Sequence, residues 1–213
     1  MVSVILMMAG NSSRMNTTEK KVYLPLGNKL VFEHSLDLFL NYHFEIICVI
    51  KEEDKHYLDN YLTKVKYVYG GNTRQESVYN GLKVATGDFV LIHDAARPLV
   101  SKRIIDECLV AIKEKKAFLV TVPSKDSLYN KSPLKSVPRD NITLAQTPQG
   151  GNLKNLLIAH EKAIQEQFMA TDDISLLLKY CSDSVKLIAG DENNFKITTQ
   201  LDYILAKELI KNV

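Results

Sequence analysis

Val2-Ser3-Val4-Ile5-Leu6-Met7-Met8 runs directly into Ala9-Gly10-Asn11-Ser12-Ser13-Arg14-Met15, and the reading of this junction decides the fold. Six of the first seven residues are Val, Ile, Leu or Met, the composition of a strand buried on both faces. Such a strand belongs at the centre of a parallel sheet. The residues after it are small or polar, so the chain leaves the sheet through a loop rich in accessible backbone N–H groups. Backbone donors approach an anion closely where side chains are small, and Arg14 and Lys21 add positive charge nearby. The stretch alone is equally compatible with a surface turn carrying two solvated cations. Neither G-x-G-x-x-G nor G-x-x-x-x-G-K-[ST] occurs, which removes the main support for a dinucleotide site or a P-loop.

Outward from this junction the pattern alternates. Helical spacing covers 31–40, 55–62, 75–84 and 104–115, and short apolar runs cover 45–50, 65–69, 89–93 and 117–122. This rhythm predicts an α/β fold, a Rossmann-like, mostly parallel twisted sheet with helices on both faces. Ligands of such sheets bind at the carboxyl ends of the strands, where Gly10, Gly70-Gly71 and Asp94 all fall. The rhythm breaks between 123 and 148, which holds four of the six prolines. Alternating pieces at 127–129 and 142–145 predict a hairpin projecting from one domain that spans 1–213. Helices at 153–167 and 173–180, a strand at 185–189 and a helix at 201–211 complete the chain.

With 46% hydrophobic and 24% charged residues and a net charge of +2, the composition is that of a soluble protein. The near-neutral balance speaks against nucleic acid as the main partner, no apolar run reaches a membrane span, and no charged leader precedes the first strand. A cytoplasmic protein is expected. Cys48, Cys108 and Cys181 are odd in number and lack C-x-x-C spacing, so buried free thiols are expected rather than disulfides or zinc. The 27 basic residues include only five arginines, at 14, 74, 97, 103 and 139. A chain that uses lysine for solubility has reason to keep arginine where a rigid fork must grip phosphate or carboxylate.

Two further motifs carry chemistry. Gly70-Gly71-Asn72-Thr73-Arg74-Gln75-Glu76-Ser77-Val78 follows a strand and opens a helix, so its backbone suits a planar base whose edge Asn72 and Ser77 could bond; a plain turn has the same composition. His93-Asp94-Ala95-Ala96-Arg97-Pro98 places an aspartate at the end of a buried strand before two small residues. It suits Mg²⁺ held against phosphate oxygens, or an Asp94–Arg97 pair that fixes the turn. No G-x-S-x-G elbow supports a triad through His93.

Taken in order, A-G-x-x-x-R-M, Lys21, G-G-x-x-R-x-x-S-V, H-D-A-A-R-P, Lys125-Asp126-Ser127, Gln146-Thr147-Pro148-Gln149, Thr171-Asp172-Asp173 and Asn194-Phe195-Lys196-Ile197-Thr198 resemble the 2-C-methyl-D-erythritol 4-phosphate cytidylyltransferase family over nearly the whole chain. The resemblance implies that Ala9, Gly10, Gly71, Asn72, Ser77 and Ala95 surround the nucleotide. It implies that Arg14, Lys21 and Lys196 clamp the triphosphate of CTP and that Asp94 binds Mg²⁺ or another divalent cation. Asp94, Arg97, Ser127, Arg139, Thr147 and Thr171 would contact the polyol phosphate, partly from the second subunit of a homodimer that exchanges its arms. Departures are Ser12 for a second glycine, Lys20 for a proline and Val22 for a glutamine, Ser127 for a threonine, and Gly150-Gly151 for an aromatic residue, which implies a looser exit from the arm. The rival readings are a ribitol 5-phosphate cytidylyltransferase and a nucleotide-binding regulatory module without turnover. Ala96 and Ser77-Val78 favour the methylerythritol enzyme over the first, and Lys21, Asp94 and Lys196 speak against the second.

Overall fold

Along Val2–Met7 (β1) the side chains divide between two faces, and both faces are covered. Val4 and Leu6 join one apolar cluster while Ile5 joins the other, as expected of a strand in a sheet covered by helices on both faces. The computed structural model describes residues 1–10 and 19–211. Among these, β1 is followed by a ribbon of β2 (Pro25–Leu26) and β3 (Lys29–Leu30), then α1 (Val31–Leu40), β4 (Glu45–Ile50) and β5 (Lys66–Tyr69). Next come α2 (Arg74–Val84), β6 (Phe89–Asp94), α3 (Lys102–Lys113) and β7 (Ala117–Pro123). A hairpin of β8 (Leu128–Lys131) and β9 (Leu134–Val137) leads to β10 (Thr143–Asn152), α4 (Leu153–Gln165), α5 (Asp173–Tyr180), β11 (Val185–Ala189) and α6 (Gln200–Ile210).

Among the described residues seven strands form the main sheet in the order β11-β7-β10-β6-β1-β4-β5, and of these only β10 runs against the rest. From β1 the chain builds outward through β4 and β5, then crosses to place β6 on the other side. The carboxyl ends of β1 and β6, in register at Met7 and Asp94, therefore flank the switch point where open α/β sheets bind ligands. Helices α1 and α3 bury Phe32, Phe39, Ile104 and Cys108 on one face, while α2, α4 and α5 bury Leu82, Leu156 and Leu177 on the other. Among the described residues, five of the six α-helices open on a side-chain cap, Thr73, Ser101, Asn152, Asp172 or Thr199, whose oxygen accepts the amide three residues on. Helix α6 packs separately: its Tyr203 and Ala206, with Ile197 from the segment before it, cluster with Leu24 and Leu26, tying this part of the chain to the segment that follows Lys21.

The structure corrects three expectations. The element expected at 55–62 is a 3-10 helix, Glu52–Tyr61, in which only Asp54 and Leu58 are buried, so packing gives an α-helical turn little to gain. Residues 142–145 do not pair with 127–129. The hairpin is closed by β8 and β9, whereas Thr143–Ala145 pair with Thr121–Pro123 as the start of β10. Nor is Gly150-Gly151 a loose exit: both lie buried inside β10, where a Cβ at Gly150 would stand 1.9 Å from the Val90 carbonyl oxygen. Cys48 and Cys108 are buried free thiols and Cys181 is half-buried and free. No helix among the described residues is long and apolar enough to cross a membrane.

Candidate active site

A cavity of about 770 Å³ opens at the carboxyl edge of the sheet. Its floor is formed where the loops after β1 and β5 meet: a Cβ at Gly70 would lie 2.7 Å from the Ala9 Cβ and 2.8 Å from Ser77 Oγ, so glycine is required for the contact. The loop after β5 is braced from within. Ser77 Oγ accepts from the Gly71 amide at 3.0 Å and donates to the Thr73 carbonyl at 2.8 Å, and the Glu76 carboxylate accepts from the Asn72 amide at 2.8 Å. The Ser77 hydroxyl is thus engaged by its own loop, and what it fixes is the shape of the backbone from Gly70 to Thr73.

Opposite this loop stands Asp94, at the end of β6. Lys196 Nζ donates to its Oδ2 at 2.7 Å, and Arg74 Nε lies 3.6 Å from Oδ1. Burial pushes the Asp94 carboxyl up, but Lys196 and then Arg74 outweigh it and hold the group well below the usual carboxylate range. Arg74 is itself gripped from behind: its Nη2 donates to Asp173 Oδ2 at 2.9 Å, and Asp173, 1% exposed, also accepts from Gln149 Nε2 at 3.2 Å and lies 3.5 Å from His160 Nε2. Burial raises the Asp173 carboxyl while Arg74 and His160 lower it, with lowering the net effect.

The turn after β6 holds Asp94 and Lys196 together. His93 is fully buried, and burial lowers its imidazole to about 4, so it is neutral near pH 7. In the tautomer this implies, Nε2–H donates to the Arg97 carbonyl and Nδ1 accepts from the Thr147 hydroxyl, which in turn accepts from the Asp94 amide. His93 is a strut. The Asn194-Phe195-Lys196-Ile197 segment docks on the same turn through Ile197 N to Ala96 O at 2.8 Å and Arg97 Nη1 to Asn194 O at 2.8 Å, and this presents Lys196.

Of the residues anticipated at the site, Ala9, Gly10, Lys21, Gly71, Asn72, Ser77, Asp94 and Lys196 line the cavity. Ala95 does not, because its side chain is fully buried in the core, and Ala96 lines it instead. Arg97 and Thr147 stand behind the wall: Arg97 Nη1 donates to the Asn194 carbonyl, and the Thr147 hydroxyl is engaged by His93 and the Asp94 amide. Ser127 and Arg139 are exposed on the hairpin arm, and Thr171 is exposed in the turn before α5. Arg14 lies outside the described residues. Arg74 and Lys51 line the cavity without having been assigned a role there. Arg74 was visible in its motif, but its partner Asp173 lies 99 residues away.

The family model for 2-C-methyl-D-erythritol 4-phosphate cytidylyltransferase matches residues 2–212. The chain belongs to that family. Proteins of that name from Caldanaerobacter subterraneus subsp. tengcongensis and Clostridioides difficile (strain 630) are 39% and 36% identical over 99% of this chain, covering 99% and 94% of their own lengths. A crystal structure titled 4-diphosphocytidyl-2C-methyl-D-erythritol synthase from Anaerococcus prevotii superimposes with a TM-score of 0.87 at 30% identity, covering 99% of this chain and 98% of that one. The Thermus thermophilus cytidylyltransferase gives a TM-score of 0.81, also at 30% identity, covering 98% of each chain. Membership in the cytidylyltransferase family makes the chain a nucleotidyltransferase, and it favours the methylerythritol reading over the ribitol one. Among the described residues no group of three His, Cys, Asp or Glu could hold a metal alone. Asp94 Oδ1 fits a narrower role, since Mg²⁺ is commonly shared between one carboxylate and substrate phosphates.

Proposed function

We propose that this chain transfers the cytidylyl group of CTP to 2-C-methyl-D-erythritol 4-phosphate, yielding 4-diphosphocytidyl-2-C-methyl-D-erythritol and pyrophosphate. The observation that carries the reading is the meeting of Lys21, Arg74, Lys196 and Asp94 around one cavity at the switch point of a sheet from this family. A phosphate oxygen of the polyol phosphate attacks the α-phosphorus of CTP. The bond to the bridging α–β oxygen breaks, and pyrophosphate leaves with that electron pair. No covalent enzyme intermediate is required. Two polyanions must be brought together, so the chain's contribution is positioning and neutralisation by Lys21, Lys196 and, from its motif, Arg14. Asp94 would hold Mg²⁺, which when bound supplies further neutralisation of phosphate charge.

Gly10, Gly71 and Asn72 would receive the cytosine, and Thr171 the polyol phosphate. Arg97 and Thr147 act on that substrate through the turn that fixes Asp94. The remaining contacts, Ser127 and Arg139, would come from the arm of a second copy. Support for this comes from the exposure of Tyr129 and Leu134 on the β8–β9 hairpin and from the exposed Arg139 at its base. The functional unit is then a homodimer with exchanged arms, and the free thiols accord with a cytoplasmic enzyme. The test is pyrophosphate release from CTP and Mg²⁺ with methylerythritol phosphate and with ribitol phosphate in parallel. Turnover with the first is expected; CTP binding without turnover on either would establish a binding module instead.

A further inference from the structure

Lys20 immediately precedes the cavity-lining Lys21, yet its own side chain is committed elsewhere. Its ammonium lies 2.8 and 2.6 Å from the two Asp54 oxygens and 2.8 Å from Glu53 Oε1. Asp54 is 5% exposed and sits on the 3-10 helix Glu52–Tyr61, whose first residues, with Lys51, line the cavity. Burial lowers the Lys20 ammonium, but Asp54 and Glu53 more than reverse this, so the lysine stays charged.

The backbone at Lys20 gives this clamp a purpose. Lys20 stands at φ −69° and ψ 133°, and its carbonyl accepts from the Tyr23 amide at 2.9 Å, closing the turn Lys21–Tyr23. A φ near −65° is what a proline ring enforces covalently, whereas a lysine is free to leave it unless something holds it. Two tethers hold this turn to the same 3-10 helix, the Lys20 ion pairs and the Tyr23 ring stacked on Tyr57 with centroids 3.9 Å apart. The clamp also occupies Glu53, a cavity-lining carboxylate that Lys51 approaches only to 4.0 Å.

We propose that Lys20 is a positioning residue for the reaction: by gripping Asp54 and Glu53 it fixes the turn that presents Lys21 to the triphosphate. This rests on the cytidylyltransferase reading above, and a wild-type protein without turnover would fail that reading rather than this one. The experiment compares kcat and KM for CTP in Lys20→Met, Glu53→Gln/Asp54→Asn and Lys20→Pro, with the first repeated in a Lys21→Ala background.

Lys20→Met and Glu53→Gln/Asp54→Asn should each lower kcat by about 10–100-fold, the effect of a misplaced phosphate ligand, and their combination should be no worse than either. Lys20→Pro should return kcat to within about threefold of wild type, since the ring sets the same φ. In Lys21→Ala, adding Lys20→Met should cost less than about twofold, because the group being positioned is already gone. Full activity in Lys20→Met, or a full-sized loss in the Lys21→Ala background, overturns the proposal. So does a proline variant as poor as the methionine one, which would assign the ammonium directly to the ligand. Retained activity in Glu53→Gln/Asp54→Asn beside an impaired Lys20→Met would mean that Lys20 only shields carboxylates, and overturns it as well.

Discussion

Lys196 Nζ donates to Asp94 Oδ2 at 2.7 Å, joining residues 102 positions apart at the mouth of the sheet. Lys196 holds the Asp94 carboxylate ionised, and the pair is in place before any ligand arrives. A phosphate entering the cavity meets a cation already held by β6, with little reorganisation left to do. Replacing Lys196 by Met should therefore lower turnover by about 10²–10³, the scale for one preorganised electrostatic contact, and Lys21→Ala and Arg14→Ala should cost a similar factor. Steady-state pyrophosphate release measures it. A folded Lys196→Met protein with normal turnover would remove this lysine from the mechanism.

Behind that pair, Asp173 carries a cost in stability more than in chemistry. It is buried against Arg74, Gln149 and His160, so Asp173→Ala leaves a guanidinium and an imidazole without their anion. Breaking a buried pair costs about 3–5 kcal/mol; with Arg74 about a third exposed, about 2–4 kcal/mol is expected in urea unfolding. A loss below about 1 kcal/mol would show that water replaces the carboxylate freely.

What could be read from the chain before folding was what depends on local periodicity. Val4, Leu6 and Ile5 announce a two-faced strand, and Gly70-Gly71 and Asp94 announce strand ends, so the sheet and the location of its ligand edge were legible. The start of β10 was not. Thr143–Ala145 look like the second half of a hairpin until Thr121–Pro123 are known to lie beside them. Likewise Arg97 and Thr147 sit in recognisable motifs, but only the fold shows Arg97 Nη1 turned to the Asn194 carbonyl and the Thr147 hydroxyl to His93. Spacing reveals which residues are near a strand end. It does not reveal which of them face the cavity.

The loop from Gly70 to Thr73 should discriminate among nucleotides. If it reads the edge of cytosine, a site built for the exocyclic amine leaves polar groups unpaired against the carbonyl of uracil, so CTP should be preferred over UTP by at least about tenfold. Ser77→Ala frees the Gly71 amide and loosens the turn, so it should raise KM for CTP more than it lowers kcat. Equal use of CTP and UTP by the wild type would contradict the assignment.

Acid should weaken the fold in two ranges. His93 is held neutral by burial and its imidazole is lowered from 6.5 to about 4, so the unfolded chain binds the extra proton and stability falls as pH drops from 6.5 toward 4. Burial raises Glu45, but bonds from Lys66, Ser3 and Thr86 outweigh it and bring the carboxyl from 4.5 to about 2; its stabilisation is present above 4.5 and is lost as pH falls toward 2. Urea unfolding across this range should show a flatter upper slope in His93→Gln and a flatter lower slope in Glu45→Gln. Unchanged slopes in both would refute this account.

The arm yields the sharpest test, because Arg139 is exposed and, among the described residues, makes one weak hydrogen bond, to the Lys125 carbonyl at 3.4 Å. Were it to serve the substrate of a second copy, each active site would combine Lys196 of one subunit with Arg139 of the other. Lys196→Ala and Arg139→Ala homodimers would then both be impaired at every site. A mixed dimer is different: one of its sites carries both lesions, and the other carries neither. With random pairing half the dimers are mixed and each has one intact site of two, so co-refolding an equal mixture should recover about a quarter of wild-type turnover. Two nearly inactive proteins would regain activity on mixing, and dilution below the dimer's dissociation constant should abolish it. Verified mixed dimers without recovery would place Arg139 at a site within its own chain, or at none.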